Sequence, residues 1–331
     1  MRRSHRRPVE VFMAVCLLAS AASAQDKSPH RSRFIAVEPD VRLEVLEWGD
    51  RGRPLVLLAG LEATAHDFDA FASKLAAFYH VYGVTRRGFG GSSAPRYGYD
   101  ADELGDDVLA VIDSLGLNRP VVAGHSIAGE ELSSIGSRHP EKVSGLIYLD
   151  AGADYAFYDA SYGHVTIDLN ELIRQLDRLR IGSGVPSAER RGTMRALADT
   201  ALPALIKRLQ WELAQPVPQR PGGSPTMKPA TRAVFLGQRK YTSIRGPVLA
   251  IFADPGEAPA GFENDPAMRA MVAEVDSATA KQVSAFEHGV SQAHVVRIPR
   301  ASHFLYRSHE SQVIAEMRAF IDALPKAAQV P

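Results

Sequence analysis

A serine in the sequence setting of a catalytic nucleophile lies at position 126. The apolar run Val121-Val122-Ala123 breaks at Gly124, and a helix-like segment begins at Ile127. A serine between a buried strand and a helix sits on a sharp turn that exposes its hydroxyl group. The first helical turn has free backbone N–H groups and a partial positive charge, which stabilise an anion formed beside that hydroxyl. The pattern therefore predicts nucleophilic catalysis by Ser126.

Strand-like and helix-like segments alternate along most of the chain. Two strands over 33–37 and 41–48 are predicted to form a hairpin, the second half-exposed because its apolar and polar residues alternate. Continuous apolar runs, typical of buried parallel strands, follow with helix-like stretches between them. These runs lie at 54–59, 80–84, 121–123, 143–149, 247–253 and 293–298. The alternation predicts an α/β fold with a mostly parallel central sheet and helices on both faces.

The alternation stops between residues 152 and 245. This stretch contains two or three amphipathic helices within 169–214 and a Pro- and Gly-rich segment at 216–229, with no strand-like run. We predict an inserted helical lid over 152–245. The core then consists of residues 25–151 and 246–331.

Four short motifs occur along the chain in an order that one enzyme superfamily shares. They are Leu58-Ala59-Gly60-Leu61, Arg87-Gly88-Phe89-Gly90-Gly91-Ser92, Gly124-His125-Ser126-Ile127-Ala128-Gly129 and Ala301-Ser302-His303-Phe304. With these motifs the chain resembles the α/β-hydrolase superfamily from about residue 33 to 325, apart from the lid. The resemblance implies a catalytic set of serine, histidine and an acid at the carboxyl edge of the sheet. It also implies an oxyanion hole made of two backbone N–H groups.

The resemblance gives the role of the general base to His303, which follows a predicted strand and a polar turn. The acid must accept the proton on Nδ1 of this histidine and fix its tautomer. Some members of the superfamily carry their acid at the strand end where Asp150 lies. The more common location is the loop after the next strand, which contains Asp254 and Glu257. We favour Asp150, with Glu257 and Asp254 as alternatives.

The resemblance places the oxyanion donors at the backbone N–H groups of Leu61 and Ile127. Ala59 stands where the superfamily usually has histidine, which changes the bracing of the loop but not the backbone donors. Ala128 replaces the last glycine of the nucleophile motif and adds one methyl group where helix packs on strand. Because Ser126 rather than aspartate holds the nucleophile position, the epoxide hydrolase and dehalogenase branches are disfavoured.

The composition is that of an ordinary globular protein, and the N-terminus has the pattern of a secretory signal. Of 331 residues, 45% are hydrophobic and the formal net charge is +0, which gives no indication of nucleic-acid binding. An arginine-rich start, an apolar run over 11–22 and the triplet Ala22-Ser23-Ala24 predict a signal peptide over 1–24 that is cleaved after Ala24. The run is too short for a membrane span. We expect a periplasmic or secreted protein without stable membrane insertion.

Neither a metal nor another cofactor is predicted. His66, Asp67 and Asp69 lie close together, but a metal needs a further convergent ligand and supporting hydrogen bonds, and the sequence indicates neither. The glycine-rich segment 88–91 does not complete a phosphate-binding motif. In the lid, aromatic side chains are predicted to line an apolar substrate pocket, to anchor the lid on the core, or both. They are Tyr155, Phe157 and Tyr158.

These features predict an exported serine hydrolase that cleaves a small, largely apolar ester or lactone through an acyl-enzyme. Two alternatives stay open. One is carbon-carbon bond hydrolysis or cofactor-free perhydrolysis on the same scaffold. The other is a non-catalytic ligand-binding module that retains the fold, because a fold alone does not determine chemistry. The expected partner in each case is a small molecule.

Overall fold

Eight β-strands form a single sheet in the computed structural model, which describes residues 30–161, 163–180, 184–214, 227–256 and 264–325. The strands are β1 (Arg31–Glu38), β2 (Val41–Trp48), β3 (Pro54–Leu58), β4 (His80–Val84), β5 (Val121–His125), β6 (Gly145–Leu149), β7 (Val248–Ala253) and β8 (Ala293–Ile298). Their order across the sheet is β1-β2-β4-β3-β5-β6-β7-β8. The predicted signal peptide, residues 1–24, lies outside the described residues.

The sheet is mostly parallel, as predicted. β1 pairs antiparallel with β2, and β2 antiparallel with β4, whereas every pair from β4 to β8 is parallel. The carboxyl ends of β3 to β8 therefore meet at one edge, where α/β sheets bind their ligands. Strand β2 differs from the sequence expectation of a half-exposed strand. Only Arg42 of β2 is exposed, because the strand lies between two neighbours instead of at an edge.

Helices cover both faces of the sheet. They are α1 (Asp69–Leu75), α2 (Ala101–Ser114), α3 (Gly129–Arg138), α4 (Val165–Leu179), α5 (Ser187–Ala196), α6 (Leu202–Ala214), α7 (Pro229–Leu236), α8 (Pro266–Gly289), α9 (Leu305–Ser308) and α10 (Glu310–Ala323). Apolar side chains of α2, α3 and α8 pack on one face, and those of α1 and α10 pack on the other. Because both faces are covered, β3, β5, β6 and β7 are nearly continuous apolar runs. The edge strand β8 also carries His294 and Arg297.

The region between β6 and β7 is an inserted set of helices, α4 to α7, as the sequence indicated. A π-helical turn at Leu197–Ala201 joins α5 to α6. The sequence does not predict helix α7, because its first residue, Pro229, ends the Pro- and Gly-rich segment 216–229, whose composition does not favour a helix. Proline is well suited to the first position of a helix, where no hydrogen bond from its nitrogen is needed.

Among the described residues, no helix has the length and apolarity needed to cross a bilayer.

Candidate active site

Ser126 lies at the end of β5, on the turn into α3. Its backbone has φ +56°, a left-handed conformation that is uncommon for a residue with a side chain, and a short 3-10 turn over Ser126–Ala128 leads into the helix. Gly124 makes this turn possible, since a Cβ at that position would lie 2.9 Å from the Cβ of Ala128. The methyl group that replaces the superfamily's glycine is therefore accommodated because residue 124 has no side chain.

His303 and Asp150 are brought together from two different loops at the carboxyl edge of the sheet. Nδ1 of His303 lies 2.7 Å from Oδ2 of Asp150, and the other carboxylate oxygen accepts the backbone N–H of Ala253 at 3.0 Å. Asp150 directly follows β6 and has φ +48°, which turns its side chain across the strand ends. With the carboxylate held on Nδ1, the imidazole presents Nε2 as its basic atom.

The other two candidate acids are placed differently. Oδ2 of Asp254 forms an ion pair with Arg297 at 3.0 Å, on the neighbouring strand β8. Glu257 lies outside the described residues. Asp150 is thus the candidate whose carboxylate contacts the imidazole of His303.

His125, the residue before the serine, supports His303 by a hydrogen bond. Its Nε2–H donates to the backbone carbonyl of His303 at 2.9 Å, and the two ring centroids are 4.6 Å apart. Burial and the neighbouring His303 ring lower the pKa of His125 well below its ordinary value, so this ring is neutral at pH 7. Because His125 immediately precedes Ser126, this hydrogen bond ties the serine turn to the histidine loop.

The predicted oxyanion donors belong to two segments that meet beside Ser126. Ile127 is the residue after the serine, and Leu61 follows β3 through Gly60. A Cβ added at Gly60 would lie 2.8 Å from Nδ1 of His125 and 3.4 Å from the Cβ of Ser126. The absence of a side chain at Gly60 therefore lets the loop that carries Leu61 approach the serine turn closely.

A buried arginine that sequence reasoning did not identify braces this loop. The guanidinium of Arg86 donates to the carbonyl oxygens of Ala59 at 3.1 Å and Gly60 at 3.3 Å. Its Nε donates to Glu131 at 2.5 Å, and both side chains are buried. The one signal in the sequence is an arginine two residues after the end of a buried strand, where a charge needs a partner. That partner, Glu131, is 45 residues away.

Arg87, the first residue of the second sequence motif, forms ion pairs with three carboxylates. Its fully buried guanidinium is surrounded by the carboxylates of Asp107 at 2.6 Å, Glu38 at 2.6 Å and Glu103 at 3.4 Å. Hydrogen bonds to these carboxylates raise the pKa of Arg87 despite its burial. The three carboxylates lie close enough together to resemble a metal site, but all three already accept hydrogen bonds from the guanidinium of Arg87.

The three aromatic residues at the start of the insert pack against the rest of the protein. Phe157 stacks edge-on with Phe286 of α8, at a centroid distance of 5.9 Å. The hydroxyl of Tyr158 donates to Asp168 at 2.5 Å. Tyr155 is buried in the same apolar cluster as Ile127. Phe157 and Tyr158 thus have the contacts expected of residues that anchor the insert.

The sequence profile of the alpha/beta hydrolase family matches residues 55–317, which is most of the chain. The chain belongs to the alpha/beta hydrolase family. The membership agrees with the fold and with the motif order that the sequence indicated. Its substrate class is not fixed by this membership, because one fold hosts many reactions.

Two relatives align with parts of this chain. It is 34% identical to epoxide hydrolase A of Mycobacterium tuberculosis over 117 residues, covering 34% of this chain and 36% of that protein. It is 31% identical to a bifunctional esterase/perhydrolase of Acinetobacter calcoaceticus over 121 residues, covering 36% of this chain and 44% of that protein. The chain thus spans less than half the length of either relative.

A solved structure supports the fold over nearly the whole chain. The crystal structure of E-2-(acetamidomethylene)succinate hydrolase superposes with a TM-score of 0.53 at 19% identity. The superposition covers 89% of this chain and 100% of that one. At this identity the likeness concerns the architecture and not the reaction.

Proposed function

We propose that this hydrolase is an exported serine esterase or lactonase that acts on small, largely apolar substrates. The observation that carries the proposal is the 2.7 Å contact between Nδ1 of His303 and Oδ2 of Asp150, at the sheet edge that also carries Ser126. A carboxylate on Nδ1 holds the imidazole in the tautomer whose Nε2 accepts a proton, and stabilises the imidazolium formed afterwards. This is the arrangement that a serine nucleophile requires.

In the proposed mechanism, Oγ of Ser126 attacks the substrate carbonyl while Nε2 of His303 takes the hydroxyl proton. The oxyanion accepts hydrogen bonds from the backbone N–H groups of Leu61 and Ile127. His303 then gives its proton to the departing alcohol, which leaves an acyl group on the serine. Water, deprotonated by the same imidazole, releases the acid and restores Ser126. One donor of this kind is worth roughly 3 kcal/mol of the barrier.

The residues around the proposed nucleophile favour an apolar acyl group. Ile127 and Tyr155 belong to one buried apolar cluster, and Leu61 packs against that cluster. A serine hydroxyl attacks a carbonyl and forms an ester that water can hydrolyse, whereas opening an epoxide through an alkyl-enzyme needs a carboxylate nucleophile. For this reason we favour ester or lactone cleavage, although an epoxide hydrolase is among the relatives.

The proposal is tested with an active-site serine probe. A fluorophosphonate is expected to add its mass to the wild type and to Ser137→Ala, but not to Ser126→Ala. Ser137 is a suitable control because it lies at the far end of α3, away from the site. Its hydroxyl donates to the backbone carbonyl of Ser243. Turnover of p-nitrophenyl esters of graded chain length should fall by several orders of magnitude in Ser126→Ala. Unchanged ester turnover in that variant would contradict the proposal.

Perhydrolysis is a second candidate, favoured by the similarity to the esterase/perhydrolase. In that reaction hydrogen peroxide replaces water in the second step, so that a carboxylic acid and peroxide give a peracid and water. Peracid formation from acetate and hydrogen peroxide, dependent on Ser126, would support it. A binding module without activity would instead show tight ligand binding with no probe labelling.

Export is proposed from the N-terminal pattern of basic, apolar and small residues. Cleavage after Ala24 would leave 34 basic and 37 acidic side chains, a formal charge of −3. Mass spectrometry of the protein recovered from the periplasm or medium should give a chain that starts at Gln25. Recovery of the uncleaved chain from the cytosol alone would overturn this part of the proposal.

A further inference from the structure

Two histidines and an aspartate converge where the segment before β1 meets the start of α1. Nδ1 of His30 lies 2.7 Å from Oδ1 of Asp69, and Nδ1 of His66 lies 3.7 Å from Oδ2 of the same carboxylate. One ligand atom from each residue falls within 4.8 Å of the other two. His30 comes from the segment before β1, whereas His66 lies in the short 3-10 turn Ala65–Phe68 and Asp69 begins α1. The structure therefore supplies the convergent ligand that the sequence did not indicate.

The burial of these side chains suits a bound cation that is open to solvent on one side. Asp69 is 2% exposed and His30 is 17% exposed, whereas His66 is 47% exposed. A buried carboxylate needs a positive partner. The exposed side at His66 gives an ion access and leaves room for a water ligand.

The second nitrogen of His66 is held by a further carboxylate. Its Nε2 lies 3.4 Å from Oε1 of Glu44, and the other oxygen of Glu44 accepts the hydroxyl of Thr85 at 2.9 Å. Thr85 in turn accepts the backbone N–H of Ala65 at 3.0 Å. A carboxylate behind a histidine fixes its tautomer and increases its basicity as a ligand, as in known metal sites.

The hydrogen bond to Glu44 determines how the distance between Nδ1 of His66 and the carboxylate of Asp69 is interpreted. When Nε2–H of His66 donates to Glu44, Nδ1 of the neutral ring carries a lone pair that faces a carboxylate oxygen of Asp69. Their separation of 3.7 Å is too long for a hydrogen bond, and two lone pairs repel each other. A cation between the two atoms would satisfy both.

We propose that His30, His66 and Asp69 bind one divalent transition-metal ion, with Zn²⁺ as the best match. Two imidazole nitrogens and one carboxylate oxygen are ligands that Zn²⁺ takes in proteins, with water as the fourth ligand. Asp67 is not part of the set, because its carboxylate accepts the backbone N–H of Thr64 and pairs with Arg307. The ion would link the segment before β1 to the 3-10 turn and the first residue of α1.

The test is metal binding to the purified full-length protein at neutral pH, after treatment with a chelator. Calorimetry with Zn²⁺ should show one site per chain, and Co²⁺ should develop the visible absorption of a low-coordinate ion. His30→Ala and Asp69→Asn should each weaken Zn²⁺ binding by about a hundredfold or more, and Glu44→Gln by about tenfold. Zn²⁺ should raise the Tm of the wild type but not of the ligand variants.

A matched control separates this site from adventitious binding by surface histidines. His294 is exposed on β8, so His294→Ala should bind Zn²⁺ as the wild type does. Equal Zn²⁺ affinity in the wild type, His30→Ala and Asp69→Asn would overturn the proposal, and so would the absence of any bound metal. In that case the three side chains form an Asp–His hydrogen-bond cluster only. Circular dichroism of each variant shows whether it is folded.

Discussion

The guanidinium of Arg86 donates to the carbonyl oxygen of Gly60 at 3.3 Å, and this contact also orients the N–H group of Leu61. The carbonyl of Gly60 and the N–H of Leu61 belong to one planar trans peptide unit, so fixing the oxygen fixes the direction of the N–H. The proposed oxyanion donor is therefore oriented by a charged side chain that binds the carbonyl end of the same peptide unit. Glu131 holds Arg86 in place through a buried ion pair.

The first prediction concerns this brace. Arg86→Lys should lower kcat for ester hydrolysis by about tenfold to a hundredfold with little change in KM, because a misdirected N–H stabilises the transition state less than it should. The control is Arg53→Lys. Arg53 also donates to backbone carbonyls, those of Ile321 and Leu324, but at the end of α10. If both variants lose kcat equally, Arg86 acts through general stability and not through the oxyanion loop.

The second prediction tests the close approach at Gly60. Gly60→Ala places a Cβ 2.8 Å from Nδ1 of His125, so the loop must retreat from the serine turn. A displacement of this kind should lower kcat by about a hundredfold while the protein stays folded. The matched change is Gly192→Ala on α5, where a Cβ meets nothing within 4 Å. It should leave kcat unchanged and raise stability by about 0.5–1 kcal/mol.

The positions of the strands along the chain and the turn at Ser126 follow from local patterns, and so they were predictable from the sequence. Apolar runs mark the buried parallel strands, and Ser126 stands where one of them meets a helix. The residues that sequence reasoning missed act through partners far along the chain. Arg86 meets Glu131 across 45 positions, and His30 meets Asp69 across 39. Such pairs leave no periodic signal, because each depends on how the whole sheet folds.

The third prediction concerns pH and the insert. Burial lowers the pKa of His164, at the start of α4, to about 4, against about 6.5 in the unfolded chain. Between these values the unfolded chain binds the proton and the folded chain does not. Stability should therefore fall as pH decreases from about 6.5 to about 4 and be independent of this group above that window.

The variant His164→Asn isolates this contribution. Asparagine keeps a side-chain acceptor for the backbone N–H of Ile167, which His164 caps at 3.4 Å, but it does not titrate. Thermal denaturation across pH 4 to 8 should show a smaller loss of Tm on acidification for the variant than for the wild type. Parallel curves would mean that His164 is protonated equally in the folded and unfolded chains.

The last prediction separates the acid of the catalytic set from a neighbouring carboxylate. Asp150→Asn keeps the size of the side chain but removes the negative charge 2.7 Å from Nδ1 of His303, and the amide favours the wrong imidazole tautomer. We expect kcat to fall by roughly three to four orders of magnitude. Asp254→Asn loses an ion pair with Arg297, whose guanidinium is 43% exposed, so its effect on stability should be about 0–1 kcal/mol and its effect on kcat small. A loss of kcat in Asp254→Asn as large as in Asp150→Asn would mean that the carboxylate contacting His303 is not its only catalytic partner.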